Sequence, residues 1–118
     1  MTELGELQRL MEDTYGTRDR ARGVPATVAW LAEEMGELAR AARKGTRDEQ
    51  LHELGDTLAW LASLANQLGL SLDEAAARYA AGCPRCSSMP CGWCTRAAGR
   101  IRRPPRLSTY RLPRLGRT

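Results

Sequence analysis

WLAEEMGELARAARKGTRDEQLHELGDTLAW, from Trp30 to Trp60, decides the fold. Its first half carries a helical apolar stripe that begins just upstream, at Val28, Leu31, Met35, Leu38 and Ala42. Gly45 ends that stripe. TRDE, Thr46 to Glu49, is a capping box, so a new helix starts at once. Leu51, Leu54, Leu58, Leu61, Leu64 and Leu68 then carry a second apolar stripe to Gly69. Two helices joined by so short a link form a hairpin.

Carboxylates are set among these stripes. Glu34 and Glu37 are three apart and share one helix face, as do Glu53 and Asp56 on the next helix. Glu34 lies eleven residues before Gly45 and Asp56 eleven after; Glu37 lies eight before and Glu53 eight after. In an antiparallel pair, equal distance from the turn is equal height, so the four can meet at one level. Such a cluster repels itself unless it shares protons or binds a cation. Oxygen-only ligands favour hard ions, so Mg²⁺ or Mn²⁺ fits and zinc does not. The alternative reading is a solvated charged face. Trp30 and Trp60 extend the symmetry, fifteen residues to either side of Gly45. Their faces can hold a flat base while a metal holds its phosphates; the alternative is that both rings serve a core or a dimer interface.

The remainder of the chain supports a helical reading. It has 118 residues, enough for one compact domain, is 42% hydrophobic and contains no Phe. Val24 and Val28 are its only valines and Ile101 its only isoleucine, too few β-formers for a sheet. Leu4, Leu7, Leu10 and Met11 predict an amphipathic helix over residues 2–15, followed by a loop, YGTRDRARG, at 15–23. Pro25 suits the first turn of the second helix. SLDE, Ser71 to Glu74, is a second capping box and opens a short fourth helix ending near Ala81. The expected fold is all-α: an antiparallel four-helix bundle that oligomerises, with a small Cys-rich C-terminal extension.

Charge is unevenly spread. Residues 1–74 hold all 14 acids and 8 bases, a net of −6; residues 75–118 hold 10 Arg and no acid, a net of +10, which together give +4. The expected organisation is a catalytic helical domain at 1–81, a cysteine knuckle at 82–94 and a basic, flexible Arg/Pro-rich tail at 95–118. No stretch approaches the ~20 apolar residues of a membrane span. The N-terminus has no basic segment leading into an apolar run, so a cytoplasmic location is expected. Cys83, Cys86, Cys91 and Cys94 form CxxC-x4-CxxC, which suits a closed four-thiolate zinc site. Another metal, or thiols and disulfides, are the alternatives.

EExxE (Glu33, Glu34, Glu37) followed by ExxD (Glu53, Asp56) in a helical hairpin resembles the MazG-like members of the all-α nucleoside triphosphate pyrophosphohydrolases. RDRARG, WLAEEMGELARAARKG and ELGDTLAWLASLANQLGLSLDEA are similar to the short single-domain type, and the likeness covers about residues 9–80. The resemblance implies hydrolysis of a nucleoside triphosphate between its α and β phosphates, releasing the monophosphate and pyrophosphate. It implies Mg²⁺ ligation by Glu34, Glu37, Glu53 and Asp56, with Glu33 orienting the attacking water. Similar proteins dimerise through the long hairpin, so a homodimer or homotetramer is expected. A triphosphate also needs cations from the protein. Arg18 and Arg22 are candidates through RDRARG, as is Lys44; relatives often place a Lys where Arg78 stands beside Tyr79. A plain surface charge is the alternative at each of them. His52 points about 100° around the helix from Glu53 and reads as a surface residue.

Two other classes compete with the enzyme. A nucleic-acid-binding module would use the zinc knuckle and the Arg-rich tail on phosphates. The tail, however, has Trp93 and Tyr110 as its only nearby aromatics and lacks the interleaving of single-strand binders. A helical dimerisation scaffold would have no need of the intact carboxylate set.

Overall fold

The computed structural model describes residues 3–92. Cys94 and the basic tail at 95–118 therefore lie outside the described residues. The chain divides into two units, Met1–Ala80 and Ala81–Thr118. The first holds four helices, α1 (Leu4–Arg22), α2 (Val24–Lys44), α3 (Arg47–Leu68) and α4 (Leu72–Ala77). Among the described residues there is no strand, and no helix is long and apolar enough to cross a membrane.

The expected loop at 15–23 is helix instead. α1 continues to Arg22, so Arg18 and Arg22 stand on a helix rather than on a loop. Gly16, Thr17 and Asp19 argue for a break on propensity alone. The stretch nevertheless has its own buried positions, Gly16 and Asp19, three residues apart on one helical face, and α1 packs on α3. Tertiary contact overrides local preference here. The turn is confined to Gly23, whose φ of 86° a side-chain-bearing residue rarely adopts. Its N–H donates to the Asp19 carbonyl at 2.9 Å, closing α1, and its carbonyl accepts from Thr27 N–H at 3.1 Å, opening α2.

The α2–α3 link is Gly45 and Thr46, and the Thr46 cap forms as its sequence predicts. Glu49 N–H donates to Thr46 Oγ1 at 3.2 Å, and Thr46 N–H donates back to Glu49 Oε2 at 2.9 Å. Gln50 Nε2 donates to the Ala41 carbonyl at 3.0 Å near the link, and Gln67 Nε2 donates to Thr27 Oγ1 at 2.7 Å at the far end. The two helices therefore run in opposite directions. Gln8 stitches α1 to the α3–α4 corner: its Nε2 donates to the Leu70 carbonyl at 2.6 Å, its Oε1 accepts from Leu72 N–H at 2.9 Å, and its carbonyl accepts from Asn66 Nδ2 at 3.0 Å. α4 is shorter than expected and continues as tight turns, Arg78 to Ala80 each donating three residues back.

The helices meet on small and polar residues, not on the leucines. Thr27 and Ala41 on α2, and Ala62, Ser63 and Ala65 on α3, are buried. The expected buried stripes are turned out in this single chain: Val28, Met35, Leu51, Leu54, Leu58, Leu61 and Leu68 are all exposed, Met35 and Leu51 by 57%. Leu31, Leu38 and Leu64 are half-buried. Small side chains let two helix backbones approach closely, so the seam falls on them and the longer apolar residues flank it.

Candidate active site

Thr27, Glu34 and Ala41 are spaced by seven, two helical turns each, and so line up along α2. Thr27 is fully buried and Ala41 is 6% exposed. Glu34, between them, is thus placed in the seam of the hairpin. One oxygen of Glu34 and one of Glu53 are buried with no hydrogen-bond partner. Ligand oxygens of Glu34, Glu37 and Glu53 all lie within 4.8 Å of one another.

Electrostatics follow from that geometry. Desolvation is the largest influence raising the Glu34 carboxyl above the ordinary 4.5, followed by the charges of Glu37, Asp56, Glu53 and Glu33. Glu53 is raised first by desolvation, then by the charge and hydrogen bonding of Glu37, with Asp56 adding to the rise and His52 opposing it. Glu34 and Glu53 thus resist ionising beside their neighbours. A bound cation would offset both costs together. The donor set is all oxygen, which suits a hard divalent ion.

Asp56 stands one helical turn along from Glu53 and faces two ways. His52 Nε2 lies 3.2 Å from its Oδ2, so His52, though largely exposed as expected, shares a face with Asp56. Asp56 also lines a cavity of about 330 Å³ between α1 and α3. From α1 come Tyr15, Arg18, Asp19 and Arg22; from α3 come Asp56, Ala59, Trp60 and Ser63.

Arg22 is held on two sides within this wall. Its Nη1 donates to Asp19 Oδ1 at 2.8 Å, and its guanidinium lies 4.6 Å from the Trp60 ring centroid. Trp60 in turn stacks on Trp30, with centroids 5.8 Å apart and planes 14° from parallel. A base held between the two rings would need them ~7–8 Å apart, two contact layers of ~3.5–4 Å. The tryptophans therefore form no slot; Trp60 is covered by Trp30 and by Arg22, which leaves the outer face of Trp30. Among the described residues no ion pair engages Arg18.

Other sequence candidates fall elsewhere. Glu33 is exposed beside Glu34. Lys44 ends α2, and Arg78 follows α4 with its guanidinium 6.0 Å from the neighbouring Tyr79 ring; neither lines the cavity. Tyr15, Asp19 and Ser63 line it without having been singled out in the sequence. Reading 15–23 as a loop hid the first two; continuing the helical period through Glu12, Tyr15, Gly16 and Asp19 would have put them on one face.

Residues 22–85 match the family model of the MazG nucleotide pyrophosphohydrolase domain. The chain belongs to the MazG family. MazG proteins generally use a divalent metal such as Mg²⁺, and membership implies a nucleotide pyrophosphohydrolase. The MazG match contains the four carboxylates and both tryptophans and begins at Arg22, so Tyr15, Arg18 and Asp19 lie upstream of it. No curated protein matches the chain.

Proposed function

We propose that this MazG protein hydrolyses nucleoside triphosphates between the α and β phosphates, giving the monophosphate and pyrophosphate. In this reading Glu34, Glu37, Glu53 and Asp56 hold Mg²⁺ or Mn²⁺. The observation that carries it is the convergence of Glu34, Glu37 and Glu53 with buried, unpartnered oxygens on Glu34 and Glu53. An acceptor oxygen shielded from water without a donor is unfavourable, and a hard cation relieves that cost along with the mutual repulsion. When bound, the cation polarises a phosphoryl oxygen and lowers the pKa of a coordinated water.

The chain's own residues do the rest. Glu33, exposed beside the cluster, orients the attacking water. Arg18, in the cavity wall next to Asp56, draws the phosphates, and Arg22 adds a second positive group already fixed by Asp19. Fixing a guanidinium beforehand lowers the entropy lost when a phosphate arrives. The outer face of Trp30, stacked on Trp60 and half exposed, offers a surface for the base.

A homodimer or homotetramer belongs to the same reading. The exposed apolar stripe of the hairpin supports it: Leu51, Leu54, Leu58 and Leu61 run along one side of α3, with Val28 and Met35 on α2. Burying such surface returns ~25 cal/mol per Å². A cytoplasmic setting and a role in nucleotide-pool housekeeping complete it.

Pyrophosphate release from a panel of nucleoside triphosphates, with and without Mg²⁺, tests the proposal. Mg²⁺-dependent formation of monophosphate and pyrophosphate is expected. Release of orthophosphate and diphosphate instead would place the cut at the wrong bond and end the reading.

A further inference from the structure

The second unit carries chemistry that the carboxylate site does not use. Sulfurs of Cys83, Cys86 and Cys91 all lie within 4.8 Å of one another, and Cys86 Sγ is 3.8 Å from Cys91 Sγ. A disulfide needs sulfurs at ~2.05 Å. Two thiolates on a tetrahedral zinc, each at ~2.3 Å, stand ~3.8 Å apart along the tetrahedron's edge. We propose that Cys83, Cys86 and Cys91 bind one Zn²⁺ as a structural site, independent of the nucleotide reading.

The backbone around these sulfurs is arranged as a tight knuckle. Ser87 N–H donates to the Cys83 carbonyl at 2.7 Å, and Cys83 N–H donates to the Ser88 carbonyl at 3.1 Å, closing a loop between the first and second cysteines and beyond. Ser87, directly after Cys86, has a φ of 54°, in the left-handed region that few non-glycine residues occupy. Gly82, directly before Cys83, has a φ of 94°, and a Cβ there would come within 2.9 Å of the Ser88 carbonyl oxygen. Positions like that of Ser87 are costly and persist where the surroundings hold them.

Apolar burial does not supply that support. None of the described residues of the second unit is fully buried, and Met89, its largest apolar side chain there, is 83% exposed. A metal supplies folding free energy where a core is missing. Ligand softness also separates the two metals of this chain: thiolates take Zn²⁺, while the all-oxygen carboxylate set takes Mg²⁺.

The test uses the full-length chain, purified reduced and without chelator, then titrated with Zn²⁺ and with Co²⁺. One zinc per chain is expected, and the Co²⁺ form should show sulfur-to-metal charge transfer with the intense d–d absorption of a tetrahedral ion. Cys83→Ser, Cys86→Ser and Cys91→Ser should each weaken zinc binding at least ~10-fold. Far-UV circular dichroism follows α1–α4 in each variant, so loss of metal is distinguished from loss of the helical unit. Glu34→Gln should keep its zinc, which separates this site from the carboxylates. Cys94→Ser identifies the fourth ligand: a changed Co²⁺ spectrum means a fourth thiolate, an unchanged one means an oxygen ligand, and both retain the three-thiolate site. A reduced protein that binds no zinc, zinc retained at full affinity in Cys86→Ser, or the weak absorption of an octahedral Co²⁺ would each overturn the proposal.

Discussion

Asp19 Oδ1 accepts a hydrogen bond from Arg22 Nη1 at 2.8 Å, and the same guanidinium lies 4.6 Å from the centre of the Trp60 ring. Asp19 is only 2% exposed, and its other oxygen has no partner. A helix end, a cation and an aromatic of another helix are thus locked together beside Asp56. Asp19→Asn keeps the shape and removes the charge that holds Arg22. We expect it to destabilise the fold by about 1–3 kcal/mol, a fall in Tm of roughly 4–8 °C per kcal/mol for a domain of this size. KM for the triphosphate should rise more than kcat falls. Arg22→Lys should behave similarly, because a compact ammonium replaces the forked guanidinium that reaches both Asp19 and the Trp60 ring. Unchanged Tm and KM in Asp19→Asn would show that the pair does not position Arg22.

Glu34→Gln and Glu53→Gln each remove one charge from a repelling set. Without metal, both variants should unfold at the wild-type temperature or above it. Hydrolysis should fall by more than the ~10–100-fold typical of losing a partner in a metal's outer shell. The rise in Tm that Mg²⁺ gives the wild-type protein should disappear. Calorimetry with and without Mg²⁺ reads both effects, and a Glu34→Gln variant still stabilised by Mg²⁺ would remove that residue from the ligand set.

The pH dependence of stability has a definite sign. Glu34 and Glu53 are raised above 4.5 in the fold, so over that interval the folded chain binds more protons than the unfolded one. Stability without metal therefore falls as pH rises from 4.5 through the raised values, and the penalty is complete above them. Denaturant midpoints for the wild type minus those for Glu53→Gln, followed from acid to neutral pH, should drop across this window. Mg²⁺ should flatten the drop by favouring the ionised carboxylates. A difference that grows with pH would contradict the desolvated, mutually repelling cluster.

The outward leucines predict the behaviour of the hairpin in solution. Leu54→Glu and Leu58→Glu place a charge in the middle of the exposed α3 stripe. Sedimentation should find the wild-type protein as a dimer or larger and these variants shifted toward the 13.0 kDa chain. A wild-type protein that sediments as a single chain at micromolar concentration would count against any hairpin interface.

The helices were legible wherever a local rule had a local cause. The Thr46 and Ser71 caps work because a hydroxyl reaches an N–H three residues on, at 3.2 Å in both cases. The level at which Glu34, Glu37 and Glu53 converge follows from counting residues away from Gly45, because rise per residue is constant in a helix, while Asp56 groups with His52 and Glu53 instead. Other features needed partners distant in the chain. The Arg-rich stretch before Gly23 has no apolar signature, so its packing against α3, which carries Tyr15 and Asp19 into the cavity, is not legible in it.

The sequence by itself determined the helical class, the hairpin about Gly45, the convergence of Glu34, Glu37 and Glu53 and the spacing of the cysteines. All of these depend on short-range periodicity and residue chemistry. Tertiary structure alone decided which face of the hairpin is inside. Periodicity marks a stripe of leucines but not what it packs against, and here the small residues Thr27, Ala41, Ala62 and Ala65 form the seam while Leu51, Leu54, Leu58, Leu61 and Leu68 face outward. That choice puts Glu34 in the seam, strips water from one of its oxygens and raises its pKa. Close approach of two backbones is a property of the pair of helices, and neither helix carries it alone.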